Sequence, residues 1–181
     1  AAAALADYQD ILFVFLGDGE VKPQLEALVR ELKLTNVSFI PSQPKRLIPN
    51  FITAADVGLM PVKRDSFFKM HLPNKLFDYM AAARPVIAAV PPGEAQMLVE
   101  TANAGLIIPP EDEISLAAAL LELRDDPEAR QRYGVNGRSY VIEHYLRSHL
   151  AARLASALDS VLQEKRRGGP HEAKPRELPS A

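Results

Sequence analysis

The sequence predicts an α/β chain, a doubly wound parallel sheet with helices on both faces. Three observations carry that prediction. Short apolar runs alternate with amphipathic stretches all the way from Ile11 to Ile108. Their spacing, roughly 20 to 30 residues per repeat, is that of βα units. The runs are continuously apolar, as suits strands covered on both faces, and right-handed crossovers then put helices on each side.

The first strand is Ile11 to Leu16, ended by Gly17-Asp18-Gly19. The helix after it carries Leu25, Leu28, Val29 and Leu32 on one face. Asn36 to Ile40 forms a second short strand, closed by Pro41. A helix from Lys45 to Ala55 contains Pro49, which must sit in its first turn or kink it. The third strand is Asp56 to Met60, and residues 61–72 form a loop long enough to suggest a functional segment. Next come a helix opening at Pro73, a strand from Pro85 to Val90, a helix from Glu94 to Ala102, and a strand from Gly105 to Ile108.

Helices alone follow: Ile114 to Arg124, then one opened by Pro127 and broken near Gly134 and Gly137. The last, Leu146 to Lys165, sets Leu146, Leu150, Leu154, Leu158, Val161 and Leu162 in a stripe that needs a partner surface. Residues 166–181 have almost no apolar content and are expected to be a disordered tail, leaving 1–165 as one ordered domain. Ala1 to Asp7 lacks a leading Met and a basic region. It reads as the end of a helix cut from something upstream, so a fragment of a longer protein is expected.

Composition narrows the function. At 181 residues, 48% hydrophobic and 24% charged, the chain has ordinary globular values. A net charge of −2 gives no electrostatic grip on nucleic acid. There are no cysteines, hence no disulfides and no cysteine-ligated metal, which suits a reducing cytosol. No apolar run approaches the roughly 20 residues of a membrane-spanning helix. The four histidines, His71, His144, His149 and His171, are scattered, and no metal or cofactor is expected.

The stretch from His71 to Glu94 carries the chemistry. Pro73 suits the first position of a helix, where its missing N–H loses nothing. Asn74, Lys75 and Leu76 are then first-turn residues whose amides point outward, and such a helix start attracts phosphate. Lys75 adds a mobile charge at that end. Asp78 lies on the face of Asn74, about 6 Å further along the axis. An anion site with a carboxylate one turn behind suits a nucleotide diphosphate and its ribose. A surface helix start with a lysine and an aspartate kept for solubility fits the same spacing. Gly17-Asp18-Gly19 lacks the third glycine of a dinucleotide fingerprint, Lys22 standing in its place, and by itself reads as a strand-to-helix turn. Lys63, Arg64 and Lys69 suit either an anionic ligand or a solvated loop.

In order, FLGDGE, NVSFIPSQP, AADVGLMPV, LPNKLFDYMAAARPVIA and the closing AGLIIPPEDEISLAAALLELRDDPEARQRYGVNGRSYV resemble one family. It is the C-terminal half of retaining, nucleotide-sugar-dependent glycosyltransferases of family four, or group 1, built from two facing Rossmann-like domains (GT-B). The resemblance covers roughly residues 5–160 and is nearest the bacterial branch that builds cell-envelope polysaccharides. It implies a Rossmann-like C-terminal domain whose first strand and N-terminal partner domain lie outside this chain.

The resemblance also implies roles. Asn74, Lys75 and Leu76 would bind the donor diphosphate, and Asp78 the ribose. Asp78 stands where the family has Glu, a side chain shorter by about 1.5 Å. Met70 replaces the family's other acid, which departs from ordinary donor-sugar recognition. Met70, His71 and Leu72 would lie on the donor-sugar side. Pro73 has no N–H to offer there, and Ala83 stands where the family has Gly. Gly17, Asp18 and Gly19 would form the donor loop, while Ser42 and Gln43 would meet the base. No catalytic residue is assigned, because the family's basic pair and acceptor site precede residue 1. The implied partners are a nucleotide-sugar donor, that N-terminal domain, and a glycan or lipid-linked acceptor. The expected location is the cytoplasm, with peripheral membrane association through the other half. A non-catalytic nucleotide-binding module, or part of a nucleotide-sugar 2-epimerase, stays open as an alternative.

Overall fold

Among the described residues, five short strands, all parallel to their neighbours, carry the fold. The computed structural model describes residues 1–64 and 72–167. β1 (Phe13–Leu16) pairs with β2 (Val37–Ile40), Phe13 opposite Val37 and Leu16 opposite Ile40. β3 (Gly58–Pro61), β4 (Val86–Ala89) and β5 (Gly105–Ile108) form a second sheet in that order. Gly58 stands opposite Val86, and Val86 opposite Gly105. Each strand leads through a helix to the next: α1 (Lys22–Glu31), α2 (Ile48–Ala54), α3 (Asn74–Ala81) and α4 (Glu94–Thr101). The expected parallel α/β class holds, with its strands in two hydrogen-bonded groups. Among the described residues, β1 pairs with β2 alone and β3 with β4 alone.

The core lies around β4. Val86, Ile87, Ala88 and Ala89 are all buried, as are Met60, Leu76, Met80, Val99 and Leu123. A continuous apolar run predicts this for β4, which has a strand on each side. The same prediction fails for β1, where Val14 is 51% and Phe15 46% exposed. β1 has one strand neighbour, and α1 buries none of its residues, so Leu25, Leu28 and Leu32 stay exposed beside it.

Pro49 falls in the first turn of α2, preceded by a 3-10 turn at Lys45–Leu47, so neither residue kinks a longer helix. Three helices end without glycine in the left-handed position. Lys33 after α1, Ala83 after α3 and Asn103 after α4 have φ of 52°, 54° and 46°. At Ala83, the amide of Arg84 reaches the Tyr79 carbonyl and that of Ala83 reaches Met80, closing the helix end with paired bonds.

α5 (Glu113–Asp125) is capped by Asp112, whose carboxylate accepts from the Ser115 amide at 2.9 Å and its hydroxyl at 2.7 Å. α6 (Pro127–Tyr145) is one unbroken helix, against the break expected at its glycines. The glycines serve packing instead. A Cβ on Gly134 would lie 2.2 Å from the Ala83 carbonyl oxygen, and one on Gly137 within 3.2 Å of Met80. Gly134 lets α6 approach the Ala83 backbone, and Gly137 the Ala104 and Met80 side chains.

The chain divides into two compact units, the first Ala1–Ile142 and the second beginning at Glu143. In the second, α7 (Arg147–Arg167) runs two residues past the expected start of the tail, which otherwise lies outside the described residues. Leu146, Leu150, Leu154, Leu158, Val161 and Leu162 are all exposed. No helix among the described residues is long and apolar enough to cross a membrane.

At the other end, the buried Asn36 amide donates to the carbonyls of Ala2 (2.9 Å) and Leu5 (3.1 Å), holding the first residues as a turn over Leu5.

Candidate functional site

α3 begins one residue later than the sequence predicts. Pro73 is its N-cap, with extended backbone (φ −66°, ψ 138°), and Asn74 is the first helical residue. The Pro73 carbonyl accepts from the Leu76 amide at 3.0 Å. That corrects the expected role of Leu76: its N–H is already engaged and its side chain is fully buried. Asn74 and Lys75 are exposed, and no described residue accepts from their amides. Asp78 is exposed one turn on.

The rest of the helix explains why that end is held still. Leu76 and Met80, four apart, are completely buried. The Tyr79 ring lies where a side chain on Gly58 would have to go, 2.4 Å from its would-be Cβ, so α3 sits directly on β3. The Tyr79 hydroxyl donates to the Leu59 carbonyl at 3.4 Å. Burial, and then the Asp78 charge, push that phenol's pKa up, keeping it a neutral donor. At the far end, Arg138 of α6 donates to the Ala81 carbonyl, a cation at the negative end of the helix. Gly134, Gly137 and Arg138 thus hold α6 against α3 and its end.

The glycine loop follows β1. Gly17 has φ +134°, a conformation that favours glycine, and a Cβ on Gly17 or Gly19 would meet nothing within 4 Å. Asp18 is the busiest residue of the loop. Its carboxylate accepts from the Ser42 amide at 3.0 Å and from Lys22 Nζ at 2.8 Å. The Lys22 ammonium also reaches the Gly17 carbonyl at 3.3 Å. The Lys22 bond first, then the Ser42 amide, hold the Asp18 carboxyl below its ordinary value. A shallow hollow of about 200 Å³ adjoins the loop, lined by Phe15, Leu16, Val21, Lys22, Leu25 and Phe39 among others. Phe15 and Phe39 stack across the strands at 5.3 Å between centroids.

So the structure brings Gly17, Asp18 and Ser42 together. Gln43 lies beside Ser42, its side-chain amide folded onto the Pro41 carbonyl at 3.1 Å. Among the described residues, no hydrogen bond joins this cluster to Asn74, Lys75 or Asp78. Leu72 is partly buried just ahead of Pro73, while Met70, His71 and Lys69 lie outside the described residues. Lys63 is exposed. Arg64 turns away to the Pro110 carbonyl at 3.3 Å, near Asp112, and so braces the loop before α5. No group of three His, Asp or Glu among the described residues is placed to hold a metal ion. The link from Asp18 to Ser42 escaped the sequence reading. Only the i, i+4 spacing of Asp18 and Lys22 hinted that this aspartate has a partner.

A parallel α/β chain in which helices connect successive strands has a Rossmann-like fold. Residues 1–140 match the family described as glycosyl transferases group 1, and the chain belongs to that family. Its architecture is that of the C-terminal domain of a GT-B glycosyltransferase. Alpha-D-kanosaminyltransferase of Streptomyces kanamyceticus is 28% identical over 148 residues, 81% of this chain and 37% of that protein. The lipopolysaccharide core biosynthesis glycosyltransferase LpsD of Rhizobium meliloti is 30% identical over 135 residues, 74% of this chain and 37% of that one. The crystal structure of Anabaena HepE in complex with UDP-glucose superposes with a TM-score of 0.73 at 21% identity, over 87% of this chain and 43% of that one. The chain thus spans little over a third of the length of these curated relatives.

Proposed function

We propose that this chain supplies the nucleotide-sugar-binding half of a retaining glycosyltransferase, which transfers the sugar to a glycan or lipid-linked acceptor in envelope polysaccharide synthesis. The observation that carries the reading is the start of α3, with exposed Asn74 and Lys75 in the first turn and exposed Asp78 one turn on. The name of LpsD favours an envelope product, and the UDP-glucose in HepE favours a nucleotide-sugar donor. The acceptor site and the remaining cations belong to the partner domain, working at the cytoplasmic side of the membrane.

The chemistry follows from charge. As the bond from the anomeric carbon to the diphosphate breaks, negative charge grows on the phosphate and positive charge on the sugar. Fixed amide dipoles and a lysine ammonium aimed at the phosphate lower the energy of that state without reorganising. Asp78 accepts hydrogen bonds from ribose hydroxyls, orienting the nucleoside and leaving the anomeric carbon turned toward the acceptor.

Calorimetric titration with uridine and guanosine diphosphates tests the site. Binding in the high-micromolar to millimolar range is expected. Lys75→Ala should weaken it about tenfold or more and Asp78→Ala about threefold, the range of single charge-assisted hydrogen bonds. Affinity indifferent to both substitutions would remove the phosphate site from α3.

A further inference from the structure

We infer that Asp18 is a positioning residue for nucleobase recognition, fixing the segment Pro41-Ser42-Gln43-Pro44 through the Ser42 amide. The inference rests on the donor-site reading above, with Ser42 and Gln43 meeting the base, and adds to it the residue that holds their segment in place. Pro41 and Pro44 have no N–H, so Ser42 and Gln43 own the only two backbone donors of this segment. The Ser42 donor is taken by Asp18 at 3.0 Å, across 24 residues of sequence. That bond fixes the plane of the Ser42 peptide unit. With it are fixed the directions of the Ser42 carbonyl and the Gln43 amide, the acceptor and donor that remain for the edge of a base.

Lys22 has a separate task at the same carboxylate. A bare Asp18 beside a diphosphate would repel it. The ammonium 2.8 Å away neutralises the carboxylate, and its contact with the Gly17 carbonyl ties the pair to the loop. Geometry belongs to Asp18 and charge balance to Lys22, so the two should separate on substitution.

The test compares uridine diphosphate with inorganic pyrophosphate, which has the charge and no base. Titrations use the whole chain and Asp18→Ala, Asp18→Asn and Lys22→Met, with circular dichroism confirming that each is folded. Asp18→Ala should lower the ratio of nucleotide to pyrophosphate affinity about three- to tenfold, the range of one lost orienting hydrogen bond. Asp18→Asn keeps an oxygen for the Ser42 amide and should restore most of the ratio. Lys22→Met should weaken both ligands together and leave the ratio alone. An unchanged ratio in Asp18→Ala, or equal loss for both ligands, overturns the inference while the donor site stands. Failure of the unsubstituted chain to bind either ligand overturns the donor reading, and this inference with it.

Discussion

β1 and β4 are written in the same language and end in different environments. Both are unbroken apolar runs, FVFL and VIAA, yet every residue of β4 is buried while Val14 and Phe15 of β1 stay about half exposed. The difference lies in their neighbours. β4 has β3 on one side, β5 on the other, and α5 leucines packed on Ile87 and Ala89. Among the described residues, β1 has β2 only, and an α1 that buries nothing. An apolar run therefore states what a strand can bury; it does not say that the covering surface is present. The candidate site residues divide the same way. The start of α3 is anchored in the well-packed half by Leu76, Met80 and Tyr79, whereas the glycine loop hangs from the thinly packed half and is held by ionic and hydrogen bonds at Asp18.

That contrast can be broken most directly by truncation to alanine on each strand. Ile87→Ala removes a side chain that is 1% exposed and should cost about 2–5 kcal/mol of unfolding free energy. Val14→Ala, on a half-exposed residue, should cost well under about 1 kcal/mol. Equal costs in chemical denaturation would mean that β1 is packed as tightly as β4. Next in size is Gly134→Ala. Its methyl group would meet the Ala83 carbonyl at 2.2 Å, so α6 must shift off α3 at a cost of about 1–3 kcal/mol. If α6 braces the phosphate end, diphosphate affinity should fall in the same variant, measured by the titrations above. The smallest effect sharpens the picture from the stabilising side. Ala83 sits at φ 54°, so Ala83→Gly should add roughly 1 kcal/mol by relieving left-handed strain. A loss of stability there would show that its methyl group packs in a way the backbone conformation does not reveal.

Much of the candidate site is compact in local residue order. Pro73, Lys75 and Asp78 fall within six consecutive residues, and Gly17-Asp18-Gly19 directly follows an apolar run, so near-neighbour chemistry suffices to single them out as candidates. The hydrogen bond from Ser42 to Asp18 spans 24 residues and leaves no periodic trace. The Leu76 amide is engaged by the Pro73 carbonyl three residues back, a tight closure of the first turn that residue order does not signal. The helix ends at Lys33, Ala83 and Asn103 carry no glycine signal, because paired backbone bonds hold the left-handed turn against residue preference.

The order of elements, their parallel sense and a helix starting within one residue of Pro73 were settled by the sequence alone. Apolar period, proline placement and the handedness of crossovers are properties of chain segments and their immediate neighbours. Tertiary structure decided which apolar faces found a cover, why α6 runs unbroken through Gly134 and Gly137, and how Asp18 comes to hold Ser42. Each of these depends on atoms far apart in the chain meeting at van der Waals or hydrogen-bond distance, and such meetings are fixed only when the whole backbone has folded.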